Sequence, residues 1–171
     1  LGACNSSIVS GCCNTLSGNY TCNSIIGSGD ENTIKGCQQV IVGGKCNVIS
    51  CGNHSFIGGG CKNQASGNFN TVAGGQCNSA AGYYHNFVGG GCCNVVTSYN
   101  SRATIVGGKL NCLAGGGSNF IGGGFNNYSN GGNSGNLAGC RNCITMGYTG
   151  YNNSIVAGFC NRITNSYPFS T

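Results

Sequence analysis

A Gly-x-x-Asn step returns along the whole chain at a spacing near 16 residues, and this internal repeat constrains the fold more than any other feature. Asn14, Asn32, Asn47, Asn63, Asn78, Asn94, Asn111, Asn127, Asn142 and Asn161 follow one another at intervals of 15 to 19 residues, and Asn5 is read in the same register. Three places before the Asn stands Gly every time, as in Gly29, Gly44, Gly60, Gly75, Gly91 and Gly108. Six places before it stands an aliphatic residue (Ile8, Ile26, Ile41, Ile57, Val72, Val88, Ile105, Ile121, Ile155), with Asn136 the exception. Two places after it stands Leu16, Ile34, Ile49, Ala65, Ala80, Val96, Leu113, Ile144 or Ile163, with Ser129 the exception.

The period is too long for a heptad and too short for helix-pair repeats. Two short β-branched segments punctuated by Gly and Asn read as two strands per repeat. Gly at 34 of 171 residues and a charged fraction of 5% oppose long amphipathic helices. A single Pro excludes collagen, and no apolar run approaches the ~18 residues of a membrane-spanning helix. The chain is therefore expected to be all-β: a parallel β-solenoid of about ten coils, ~16 residues per coil, over residues 1–171 as a single repeat array. The aliphatic columns face inward. The Gly column supplies a positive-φ turn. Two readings of the Asn column stand side by side: a ladder of side-chain amides bonding from coil to coil, or a corner residue tolerant of left-handed backbone.

Each coil offers about two inward aliphatics, about 3–6 kcal/mol of burial, which falls short of the ordering cost of its residues. Association of several rolls is therefore expected, with Phe56, Phe87 and Phe120 beside the core column as a second apolar face. The segments NSIIG, NSIVAG, SGNFNTVAGGQCNSAAG and HSFIGGGCKNQASG resemble head-domain repeats of trimeric autotransporter adhesins, the YadA-like heads. They are also similar to Gly/Asn repeats in fibre proteins of phages and large viruses. The resemblance implies a left-handed parallel β-roll, three rolls packed as a trimer, and attachment to surfaces.

Fifteen cysteines are an unusual load. Most stand one or two places before the repeat Asn, where other coils carry Asp30, Glu31, Lys45, Lys62 or Arg141, so these thiols are expected at the surface. Equivalent positions in adjacent coils would lie ~4.8 Å apart, within disulfide reach. Bridges are expected between Cys77 and Cys93, Cys46 and Cys61, and Cys22 and Cys37, with small filler at a crowded turn as the open alternative. An odd count leaves at least one thiol free or joined to another chain. The one CxxC, Cys140 to Cys143, lacks a second pair, and no metal site or cofactor is expected.

No catalytic constellation is legible. Asp30 and Glu31 are adjacent, so on a strand they point to opposite faces and cannot flank one bond. Seven scattered cations make no nucleic-acid track. Aromatic or His residues recur in one loop of the coil, at Tyr20, His54, Phe69, Tyr84, Tyr99, Tyr151 and Tyr167, and form a candidate edge for glycan contact or for packing between coils. Asn5, Asn19, Asn53, Asn127 and Asn152 stand in N-x-S/T sequons and are candidate glycosylation sites.

The chain opens and stops inside a repeat, which reads as an internal slice of a longer protein. The functional expectation is a non-enzymatic extracellular fibre or adhesin head, on a cell or virion surface, whose partners are itself and surface glycans or a host receptor. The alternative is a structural subunit of an extracellular filament. No nucleic-acid partner and no membrane insertion are expected.

Overall fold

Each repeat folds into two very short strands joined by two corners, and successive repeats stack backbone on backbone. A computed structural model describes residues 4–18, 21–97, 99, 101–136, 138–146 and 152–165. Among these there is no helix. Twenty strands run from β1 (Ser7–Ile8) and β2 (Thr15–Leu16) to β19 (Ser154–Ile155) and β20 (Arg162–Asn165). They form two parallel ten-stranded sheets, odd-numbered strands in sheet I and even-numbered strands in sheet II. Registers follow the repeat: in sheet I Thr71 pairs with Phe87 and Phe87 with Thr104, and in sheet II Ser79 pairs with Val95. The β-solenoid expected from the period is the observed fold. At ~4.8 Å per rung, ten rungs make a rod about 45 Å long.

The second residue of each strand points inward. Ile26, Ile41, Ile57, Val72, Val88, Ile105 and Ile121 from sheet I meet Ile34, Ile49, Ala65, Ala80, Val96 and Leu113 from sheet II, all without solvent exposure. Ile8 departs from the expected core and is 42% exposed, because β1 is the terminal strand of its sheet and is covered from one side only. Leu16 is partly buried for the same reason.

The coil has an internal order that the 16-residue reading missed. Most strands are preceded by the same three places: a residue bridged to the adjacent rungs, a residue with left-handed backbone, and an inward, usually polar residue. Asp30, Glu31 (φ 57°) and Asn32 enter sheet II this way, and Cys37, Gln38 (φ 56°) and Gln39 enter sheet I. The coil is thus two half-coils of about eight residues. Two corrections follow. Left-handed backbone falls on the residue before the repeat Asn, as in Cys46 (φ 55°) and Cys77 (φ 56°), rather than on the Asn. Asn5, at φ 51°, sits at the left-handed place of the other corner and is not in the column of Asn14.

The Gly column does carry positive φ, and Gly75 shows why no other residue serves. Its φ is +89°, and a Cβ there would collide with the carbonyl oxygen of Gly91 and crowd Asn78 Nδ2.

Candidate functional site

The buried polar column forms a ladder that runs the length of the chain. The backbone N–H of Asn47 donates to Asn32 Oδ1 at 3.0 Å, that of Asn63 to Asn47 Oδ1 at 2.9 Å, and that of Asn78 to Asn63 Oδ1 at 3.0 Å. The chain of bonds continues unbroken to Asn161, whose N–H donates to Asn142 Oδ1. Each amide nitrogen is used as well: Asn78 Nδ2 donates to Gly74 O at 2.9 Å and to Gly91 O on the next rung at 3.0 Å. The ladder reading of the Asn column therefore holds, and its role is structural. Polar groups this deeply buried are stable only when so completely paired.

The corner leading into sheet I carries a mixed ladder of Ser24, Gln39, Ser55, Asn70, Asn86, Ala103, Asn119 and Ser134, all buried. Ser24 Oγ accepts from the N–H of Gln39, and Asn86 Oδ1 accepts from that of Ala103. Gln39 Oε1 is buried without a partner. Sequence reasoning passed over this second column, although Asn70, Asn86 and Asn119 each stand eight before a repeat Asn.

Outside this corner, on the left-handed places, rings stack. His54 lies on Phe69 with centroids 4.7 Å apart and planes 6° from parallel, and Phe69 lies on His85 at 4.8 Å and 15°. The rung spacing is close to ring-stacking distance, so equivalent places on successive rungs are built for such contacts. Both faces of Phe69 are covered, and this stretch offers ring edges to solvent. Tyr84 flanks the stack, 50% exposed and 6.4 Å from His85. Tyr99, in the loop above, is 71% exposed. Of the predicted aromatic edge the structure thus joins His54, Phe69 and Tyr84 and adds His85. Tyr20, Tyr151 and Tyr167 lie outside the described residues.

No disulfide joins any two of the fifteen cysteines in this structure, and none of them is fully buried. Surface placement was expected from the charges that share their columns, and nine of the thiols line the outside of the Asn corner. Cys77 and Cys93 hold the same place on adjacent rungs. Cys46 and Cys61 do not: Cys61 bridges to Lys45 and so stands diagonal to Cys46. Cys22 and Cys37 share a place on adjacent rungs of the other corner. Two pairs of thiols adjacent in sequence touch, Cys12 and Cys13 at 3.2 Å and Cys92 and Cys93 at 3.3 Å. These contacts raise the pKa of Cys12 and Cys93, since each protonated thiol is held by the sulfur beside it. Cys46 donates to Glu31 Oε2 at 2.9 Å, and that bond, with some desolvation and the repulsion of the carboxylate, lifts its pKa as well. Burial raises the pKa of Cys112 and of Tyr128.

Asp30 and Glu31 sit on the Asn corner, Asp30 bridging Cys12 and Lys45 and Glu31 accepting from Cys46. Among the described residues no group of three or more His, Cys, Asp and Glu side chains is placed to hold a metal ion. No helix among them is long and apolar enough to cross a membrane. Of the sequon residues, Asn5, Asn53 and Asn152 are exposed, and Asn19 lies outside the described residues. Asn127 is a ladder residue with no exposure, and its Nδ2 donates to Gly123 O and Gly139 O, so the folded chain offers no acceptor there.

The outward faces of the two sheets differ. Sheet I shows Ile25, Phe56, Phe87 and Phe120 at 36–42% exposure, with Val42 and Val106 half exposed beside them, and no charged side chain among the described residues. Sheet II shows Thr33, Gln64, Ser79 and Thr97 with the charged Lys35 and Arg162, and between them the half-buried Val48, Val95, Cys112 and Tyr128. No family model matches this chain, and no curated protein matches it.

Proposed function

We propose that the chain is a rigid rod segment of an extracellular fibre or adhesin head, on a cell or virion surface, that acts by presenting a repetitive surface and not by catalysis. The observation that carries this reading is the unbroken Asn ladder with its stacked rungs: the ordered polar chemistry of the chain is spent on holding one rung to the next. Outward features recur from rung to rung, which suits multivalent contact, where many weak contacts add. The resemblance to YadA-like heads points the same way. Tyr84 and Tyr99 are the exposed aromatics best suited to lie against a glycan. The apolar face of sheet I serves self-association.

In an oxidising compartment Cys77 with Cys93, and Cys22 with Cys37, are the in-register pairs that would staple neighbouring rungs. Electron microscopy of the chain, with adhesion of chain-coated beads to glycan-bearing surfaces, tests the reading. Short rods and adhesion that falls when Tyr84 and Tyr99 are replaced by Ala are expected. Beads that adhere no better than uncoated ones contradict the adhesin role, and rods that grow end to end without adhesion favour the plain filament.

A further inference from the structure

The outward face of sheet I alternates. Rungs carrying Phe56, Phe87 and Phe120 are separated by rungs carrying Thr71 and Thr104, and Gly135 follows. The rings of Phe56 and Phe87 lean over the glycine two places on, Gly58 and Gly89, so each ridge extends across two outward places of its rung. The face is therefore a row of ridges about 9.6 Å apart with shallow gaps between.

We propose that a second copy of this chain covers this face, packed antiparallel about a two-fold axis between the Phe87 and Thr104 rungs. This rests on the reading of the chain as a self-associating rod, and it sets a pair in place of the three-roll packing that the resemblance to YadA-like heads implies. In that register Phe87 of each copy meets Thr104 of the other, Phe120 meets Thr71, and Phe56 meets Gly135. Every ridge enters a gap. In a parallel arrangement without axial shift, equal rungs meet, so Phe abuts Phe and the Thr rungs between them leave voids. Interiors pack without such voids, and lost contacts are costly. A two-fold interface needs a self-complementary patch, which the alternation supplies.

The area is adequate. Eight rungs from Val40 to Ser154 at ~4.8 Å, each about 14 Å wide, give about 540 Å² per copy, or about 1,100 Å² in all, above the ~1,000 Å² expected of a specific interface. No charged side chain among the described residues of this face opposes the contact.

Sedimentation equilibrium under reducing conditions tests the proposal, with far-UV circular dichroism to check folding. The unaltered chain is expected to be a dimer. Thr104→Phe sets ridge against ridge and should raise the dimer dissociation constant at least tenfold. Adding Phe87→Thr exchanges ridge and gap and should restore dimerisation. Mixed isotope labelling of the unaltered chain gives an independent readout: a nuclear Overhauser contact between the Phe87 ring of one copy and the Thr104 methyl of the other. A monomer at about 100 µM, a trimer, a double variant no tighter than the single one, or Phe56–Phe56 contact across the interface would overturn it. Bead adhesion is read separately, so a monomer that still adheres removes the pair and leaves the rod's role standing.

Discussion

The two corners of the coil do the same mechanical job with different latitude. At the Asn corner the inward residues on either side are eight apart in every coil, from Ile26 and Ile34 to Ile155 and Ile163, and the buried place is Asn throughout. At the other corner the inward residues are seven to eleven apart, and the buried place holds Ser, Gln, Asn or Ala. The Asn corner needs a side chain that accepts from the next rung's N–H and donates to two carbonyls at once, and Asn fits that geometry. The mixed corner turns through loops of different lengths, so its polar place meets different neighbours and no single residue serves. One corner keeps the register of the stack. The other is free to vary and carries the exposed rings.

Two residues inserted between Ile57 and Cys61 should break this difference most severely. They would push the Asn ladder out of register, and loss of the cooperative unfolding transition is expected. The same insertion between Ala80 and Tyr84 should cost less than about 1 kcal/mol, the scale of lengthening an existing loop. Denaturant unfolding of both variants reads the contrast. A smaller effect is expected from Asn78→Ala, which removes the acceptor for Asn94 N–H and the donor to Gly91 O; a loss of roughly 2–4 kcal/mol should follow. Asn86→Ala, on the corner where Ala103 already occurs, should cost about half as much in the same assay.

The period, the two aliphatic columns, the Gly turn and the surface thiols were legible because each repeats at a fixed offset from Asn. The half-coil was not, because its marker column mixes four residue types and loops of changing length blur its spacing. The sequence also showed Asn136 and Ser129 as the two exceptions in the aliphatic columns without showing what surrounds them. They lie on successive strands, with Asn136 Nδ2 donating to the carbonyl of Tyr128, and each is stacked between aliphatic residues, Asn136 between Ile121 and Ile155 and Ser129 between Leu113 and Ile144. Asn136 Oδ1 and Ser129 Oγ are buried without partners. Replacing them together, Asn136→Ile with Ser129→Leu, should raise stability by about 2 kcal/mol, measured as a shift of the unfolding midpoint. The ring stack likewise escaped the sequence as a stack: His54, Phe69 and His85 are far apart in the chain, and only equal placement on consecutive rungs joins them.

The smallest expected effect concerns the outer rim of the Asn corner. The Cys46 pKa is raised because its thiol proton is held by Glu31, so at a given pH less of it is thiolate and its alkylation requires a higher pH than an ordinary thiol. Glu31→Gln removes the negative charge and should move the alkylation profile of Cys46 to lower pH, as followed by peptide mass spectrometry. An unchanged profile would mean that the carboxylate does not reach the thiol.

The most direct test of the stacked ladder is scalar coupling across its hydrogen bonds by nuclear magnetic resonance. The backbone nitrogen of Asn78 should couple to the side-chain carbonyl carbon of Asn63, 15 residues away, and that of Asn94 to the side chain of Asn78. Couplings seen between strands of the sheets but missing at every Asn of the column would contradict the ladder as what keeps one rung over the next.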